Sequence, residues 1–244
     1  MTMVWRSLGL VFVSVLLWQA VVVMTNIPAY FLPSPWLVYQ ALSANTVLLV
    51  REAGVTLTEM LLGFVLATVF GMGVAIVLAY WRGVRLSVLP ILVFSQAIPT
   101  FAIAPLLILW LGYGLNSKIV ITMLMLFFPV MTAFLDGLLV PRLELMAMAQ
   151  VMTPSRWQIL RHIQIPSALP KLATGLRVAA AGAPLAAIIG EWVGANRGLG
   201  YLLLEANARL QMDFVFAILF VVVSLALLVY YTVDTVLKRV IFWL

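Results

Sequence analysis

Very few side chains in these 244 residues could do chemistry: one histidine, His162, no cysteine, and eight acids scattered from Glu52 to Asp234. Thiolate nucleophiles, disulfides and cysteine-held metals are excluded, and a lone imidazole with dispersed carboxylates does not make a metal site. An enzyme embedded in a membrane would need such groups clustered at one depth. Neither catalysis nor a bound cofactor or metal is therefore expected of this chain. What stands out instead is a basic, helical-looking segment, "MAQVMTPSRWQILRHIQIPSALP", residues 148–170, set in apolar text and ending in prolines. Arginine, tryptophan and leucine on a short helix suit contact with a second, soluble protein or with lipid headgroups rather than making or breaking bonds.

The elements that would hold this segment are set by composition. Hydrophobic residues make up 65% of the chain and charged ones 9%, against about 25% charged in soluble domains. So few charges cannot cover a soluble surface, which makes the chain a polytopic membrane protein of all-α class. A crossing needs about 20 apolar residues, because the hydrocarbon layer is about 30 Å thick and each helical residue rises 1.5 Å. Six windows qualify, approximately 8–24, 55–80, 88–111, 119–140, 173–193 and 214–236. The first is too long for a signal peptide's apolar region and lacks a clean cleavage site, so an uncleaved span is expected. The net charge of +6 would suggest a nucleic-acid partner in a soluble domain; here the positives are sorted by side of the membrane, and no nucleic acid is expected.

With the N-terminus inside, ten cations fall on the cytoplasmic side: Arg6, Arg82, Arg85, Arg142, Arg156, Arg161, Lys171, Arg177, Lys238 and Arg239. Four fall outside: Arg51, Lys118, Arg197 and Arg209. Excess Lys and Arg on cytoplasmic flanks, with an even span count, puts both termini in the cytoplasm. Between the first two windows, Pro28, Pro33 and Pro35 predict an extended connector and then a short interfacial helix, with Tyr30, Trp36 and Tyr39 at headgroup level. After the fifth window, Gly194, Gly198 and Gly200 predict tight turns followed by a helix.

Within the spans almost no charge is central. Glu59 lies near the outer start of the second window, Asp136 near the inner end of the fourth and Glu191 near the outer end of the fifth. Carriers coupled to protons or sodium commonly place ionisable groups or unwound helices at mid-membrane, so this chain reads as a conduit whose energy comes from elsewhere. Pro99 and Pro105 bend the third window, and Gly182, Pro184 and Gly190 let the fifth pack closely. A path through the third to fifth spans would pass Gln96, Pro99, Thr122, Thr132 and Pro184.

Residues 141–172 interrupt the spans. Leu145, Met148, Ala149 and Met152 share one helical face. Thr153 and Pro154 fit the N-cap and first position of a second helix, whose apolar set is Trp157, Ile159, Leu160 and Ile163 beside Arg156, Arg161 and His162. Pro166 and Pro170 would bracket a turn back to the membrane. Such a basic knob suits a protein partner or the lipid headgroups equally well by composition.

The segment resembles the cytoplasmic loop of ABC transporter permeases, whose pattern is Glu-Ala-Ala, three residues, Gly, nine residues, Ile, one residue, Leu-Pro. Counting back from Pro166 places Ile165, Ile163, Thr153, Ala149, Met148 and Ala147 on it. Pro166, Ile163 and Ala149 match; Ile165 stands for Leu, Ala147 for Glu, Met148 for Ala and Thr153 for Gly. A residue before proline avoids the α region, so Thr153-Pro154 would break the helix where Gly does. "LPSPWLVYQAL", "IPTFAIAPLLILWLGYGLNSKI", "FFPVMTAFLDGLL" and "GEWVGANRGLGYLL" are similar to successive landmarks of nitrate, sulfonate and taurine type permeases. The last is most similar to permeases for thiamine precursors of the hydroxymethylpyrimidine kind.

The resemblance implies a type I importer permease in a bacterial inner membrane: two permease copies, a homodimer by default, two cytoplasmic ABC ATPases that bind the ATP, and an extracytoplasmic solute-binding protein. It implies a docking loop at about 141–172. Ala149, Thr153, Pro154, Arg156, Trp157, Leu160, Arg161, Ile163 and Pro166 would then meet the ATPase, with Trp157 and Leu160 buried in its groove.

Overall fold

The computed structural model describes residues 2–140 and 155–241, and all regular structure among them is helical. The elements are α1 (Thr2–Thr25), α2 (Pro35–Ala44), α3 (Thr46–Tyr80), α4 (Arg82–Ser95), α5 (Thr100–Leu111), α6 (Leu115–Leu139), α7 (Arg156–Ile159), a π-helical stretch (Leu160–Gln164), α8 (Ile165–Gly194), α9 (Leu199–Ala208) and α10 (Met212–Val240). From α7 through α8 the chain is one helix of 39 residues, Arg156–Gly194, roughly 58 Å at 1.5 Å per residue.

Four helices are long and apolar enough to cross a membrane: α3, α6, the α7–α8 rod and α10. The third expected window is not a straight span. It is bent at Pro99, as the sequence leads one to expect: it splits into α4 and α5, which meet at 98° and are together apolar enough for a fifth, broken span. Pro99 supplies no N–H, the residue before it avoids the α region, and the chain tightens into turns from Val93 O and Phe94 O to Gln96 N and Ala97 N. The first window forms α1, a helix of 24 residues, Thr2–Thr25, whose Phe12–Thr25 part is apolar. The expected interfacial helix is α2: the Ser34 hydroxyl caps Leu37 N at 3.3 Å, Pro35 takes the first turn, and the exposed rings of Trp36 and Tyr39 stack at 5.6 Å.

The core is a three-helix unit of α3, α6 and α8. Glu59, well inside α3, meets Lys118 near the start of α6, and Gly71 faces Phe127 and Met131 further along, so these two helices run parallel. Lys118 also faces Gly190 whereas Ala133 faces Gly175, so α8 runs antiparallel to α6. Met60, Ala67, Val130, Phe134, Ala173 and Ala180 are buried at the centre of this unit. Small residues let the helices approach: a Cβ on Gly175 would lie 2.7 Å from Ala133 Cβ and 2.8 Å from Pro129 O. Asp234 of α10 takes Arg177 of α8 at 2.8 Å and its own-helix neighbour Lys238 at 2.6 Å, which ties α10 to the rod. At the opposite end a second cluster, with Leu49, Leu199, Leu202 and Ile218, seats α9 against α3, α8 and α10.

Candidate functional site

The docking segment begins differently from its expected form. Ser155, not Thr153, caps the helix: its hydroxyl accepts from Gln158 N at 3.3 Å, and the Gln158 side chain accepts from Ser155 N at 2.8 Å. The turn expected between Pro166 and Pro170 does not form. Pro166 has no N–H for the carbonyl four residues back, and the backbone widens to a π register in which Ile165 N donates to Leu160 O. With Pro166 in the first turn of α8, the helix continues directly into the core.

Arg156, Trp157, Arg161 and Pro166 are exposed and Ile163 is half-buried. Trp157 is 51% exposed and stands edge-on to Tyr80 with centroids 6.2 Å apart. Leu160 corrects the expectation of burial in a partner's groove: it is 1% exposed and belongs to this chain's own core. Leu160 follows Trp157 by almost one turn but faces inward, toward the core that also takes Leu138 and Leu172. Ala149, Thr153 and Pro154 lie outside the described residues, as do Leu145, Met148 and Met152.

The path residues are not brought together within one copy of the chain. Gln96 and Pro99 are exposed at the α4–α5 bend. Thr132 is half-buried, and its hydroxyl donates to Phe128 O at 2.9 Å. Thr122 is fully buried between α6 and α3, and Pro184 is buried on α8, so both present no surface to a path in this conformation. Both positions pack against neighbouring helices, and the Thr122 hydroxyl has no hydrogen-bond partner there.

Sequence reasoning missed a buried polar network at the far end of the rod. Glu52, Thr56 and Glu59 follow one face of α3 and are 3%, 1% and 0% exposed. Glu59 pairs with Lys118 of α6 at 2.8 Å. The Thr56 hydroxyl donates to Glu191 Oε1 at 2.7 Å and accepts from Leu199 N at 2.9 Å. Gly200 N donates to Glu191 Oε2, and Gly198 N donates to Glu52 Oε2 at 2.8 Å. Gly198 has φ +106°, and a Cβ there would overlap the Glu191 carboxylate, so glycine is required. Glu52 and Glu191, with Thr56, thus fasten the loop before α9 to α3 and α8, while Glu59 ties α3 to α6. The available signal was the spacing: Glu52, Thr56 and Glu59 lie four and three residues apart, which puts them on one stripe of an otherwise apolar helix.

Among the described residues no group of three or more His, Asp or Glu side chains is placed to hold a metal ion.

Comparison with known proteins agrees with this geometry. Residues 67–242 match the family described as binding-protein-dependent transport system inner membrane component. The chain is 44% identical to a "Probable ABC transporter permease protein" of Haemophilus influenzae, over 96% of each chain. It is 36% identical to the riboflavin transport system permease protein RibX of Chloroflexus aurantiacus, covering 98% of this chain and 91% of that one. With the formylaminopyrimidine transport permease protein ThiX of Halalkalibacterium halodurans it shares 34% identity over 82% of this chain and 80% of the relative. In fold, it superposes on a chain of the MetNI methionine ABC transporter with TM-score 0.67 at 23% identity, covering 80% of this chain and 97% of that chain. An all-helical bundle with the type I importer fold and a family match over most of its length, the chain belongs to the inner membrane components of binding-protein-dependent transport systems and is an ABC importer permease subunit.

Proposed function

We propose that this permease conducts a small nitrogen heterocycle of the pyrimidine class into the cytoplasm, driven by a separate ABC ATPase that docks on the Arg156–Trp157 end of the α7–α8 rod. Continuity of that rod carries the coupling: the helix that displays Trp157 and Arg161 at one end holds Glu191 in the buried network at the other. A close-packed core moves as a unit rather than deforming smoothly, so force applied at Trp157 reaches the loop before α9. ATP is bound and hydrolysed by the partner, and this chain supplies no catalytic group.

The docking surface comprises the exposed Arg156, Trp157, Arg161 and Pro166 with half-buried Ile163, together with Ala149, Thr153 and Pro154 of the arm at about 141–172. A second copy of the chain completes the pathway, with Gln96, Pro99 and Thr132 the side chains still open to it. The solute-binding protein approaches the opposite end, where α2, α9 and the starts of α3 and α10 border a polar cleft of about 630 Å³ that includes Asn45, Glu205, Arg209 and Asp213. Both termini then lie in the cytoplasm, in keeping with the excess of cations at that end.

The solute class is supported by the names of two relatives, which concern riboflavin and formylaminopyrimidine, and by how few charges lie centrally in the spans. Nitrate, an aliphatic sulfonate or taurine is the second reading, favoured by the landmark stretches from "LPSPWLVYQAL" onward. Uptake of radiolabelled solutes in a strain lacking native importers decides between them: accumulation of the pyrimidine and not of taurine or nitrate is expected, and the reverse overturns the solute class. A self-sufficient carrier would move solute in proteoliposomes without ATPase or ATP; no transport is expected under those conditions.

A further inference from the structure

The Trp157 end holds a basic cleft that protein docking alone leaves unexplained. Arg82 and Arg85 from the α3–α4 corner and Arg156 from α7 line one cleft of about 290 Å³, with Tyr80 and Gln164 beside them. None of these three arginines has an ion-pair partner among the described residues. Guanidinium groups gathered in this way repel one another, and an anion between them removes that cost. Arg85 also borders a second cavity, of about 570 Å³, which runs along α4 past Leu89, Pro90 and Phe94. That groove is apolar and open, with Phe94 73% exposed. Trp81 and Trp157 both stand edge-on to Tyr80, at 5.1 and 6.2 Å, and both are about half exposed, as amphipathic rings are at a bilayer–water boundary.

We propose that this surface binds an anionic phospholipid of the adjoining leaflet, its phosphate in the Arg82–Arg85–Arg156 cleft and one acyl chain along α4. The shared arginine decides in favour of a lipid: an acidic protein segment would satisfy the charges but gain nothing from the groove. A zwitterionic lipid would fill the groove while setting its own ammonium against the arginines. Because Arg156 also belongs to the proposed ATPase-docking surface, lipid binding and ATPase binding must be read separately.

The permease purified in mild detergent is titrated with phosphatidylglycerol, with phosphatidylcholine of the same chains and with glycerol phosphate, and bound lipid is counted by native mass spectrometry. Phosphatidylglycerol binds most tightly, and each of Arg82→Gln, Arg85→Gln and Arg156→Gln weakens it roughly fivefold, the factor that about one unit of surface charge contributes. The corresponding Arg→Lys variants keep the preference, and Arg197→Gln, at an exposed position of the opposite end, leaves it unchanged. Circular dichroism checks the helix content of every variant, and the single replacements carry the test if the triple variant does not fold. Equal binding of the two lipids overturns the proposal, as does glycerol phosphate binding as tightly as the lipid. A companion ATPase that dissociates from the triple variant while the lipid preference persists assigns the cleft to the ATPase and overturns it as well.

Discussion

The two ends of the α7–α8 rod are built on opposite plans. Around Glu191 the acids are buried and each has a partner within the chain: Glu59 with Lys118, Glu191 with Thr56 and Gly200, Glu52 with Gly198, with Glu59 Oε2 left without a partner. Around Trp157 the cations are exposed or half-exposed, and Arg82, Arg85 and Arg156 have no acid among the described residues. A buried charge must be satisfied within the chain, because removal from water costs several kcal/mol per ion. A charge at the boundary can be left for a partner, since water and lipid headgroups hold it meanwhile. On the function proposed above, the closed end is a fixed frame and the open end a contact surface, with one helix joining them.

Breaking the closed end should have the largest effect. Lys118→Met strands Glu59 in the core and should cost about 3–5 kcal/mol, whereas Lys118→Met with Glu59→Leu should recover most of that loss. Thermal unfolding in detergent checks both; a double variant no better than the single would mean the pair does more than neutralise charge. Gly198→Ala comes next, at roughly 2–3 kcal/mol, because a side chain meets the Glu191 carboxylate and the backbone there suits only glycine. Thr56→Val removes the donor to Glu191 and leaves Leu199 N without its acceptor, for about 1–3 kcal/mol. Hydrogen exchange should then rise at the start of α9 rather than across the bundle. Trp157→Asp sits at the small end for stability, within about 0.5 kcal/mol, because the ring is half exposed.

Much of the fold was legible in the sequence. Long apolar runs mark α3, α6, α8 and α10 because each must match the hydrocarbon thickness, and Ser34-Pro35 marks the start of α2 by the chemistry of a helix N-terminus. Mean hydropathy carries no direction, however: Pro99 marked a bend in the third window, but not that it would reach 98° and divide the window into two helices. The second and fifth spans were drawn too short for a related reason. Arg51 and Glu52 look like a helix boundary but pair with each other at 2.8 Å inside α3. Pro166 and Pro170 look like stops, but the π stretch absorbs the first missing donor. The inward face of Leu160 was hidden because a four-residue amphipathic helix has too few turns to distinguish its own core from a partner's groove. The buried network needed three helices and a loop to be placed at once, and only the α3 stripe was visible in one dimension.

The claim that energy enters through the Trp157 end is tested most directly by reconstituting the importer with Trp157→Asp and measuring ATPase co-purification and ATP-driven solute accumulation on the same preparation. Loss of both, with the unfolding temperature of the permease unchanged, is the predicted result. A variant that keeps its ATPase and still accumulates solute at the unmodified rate would contradict the account.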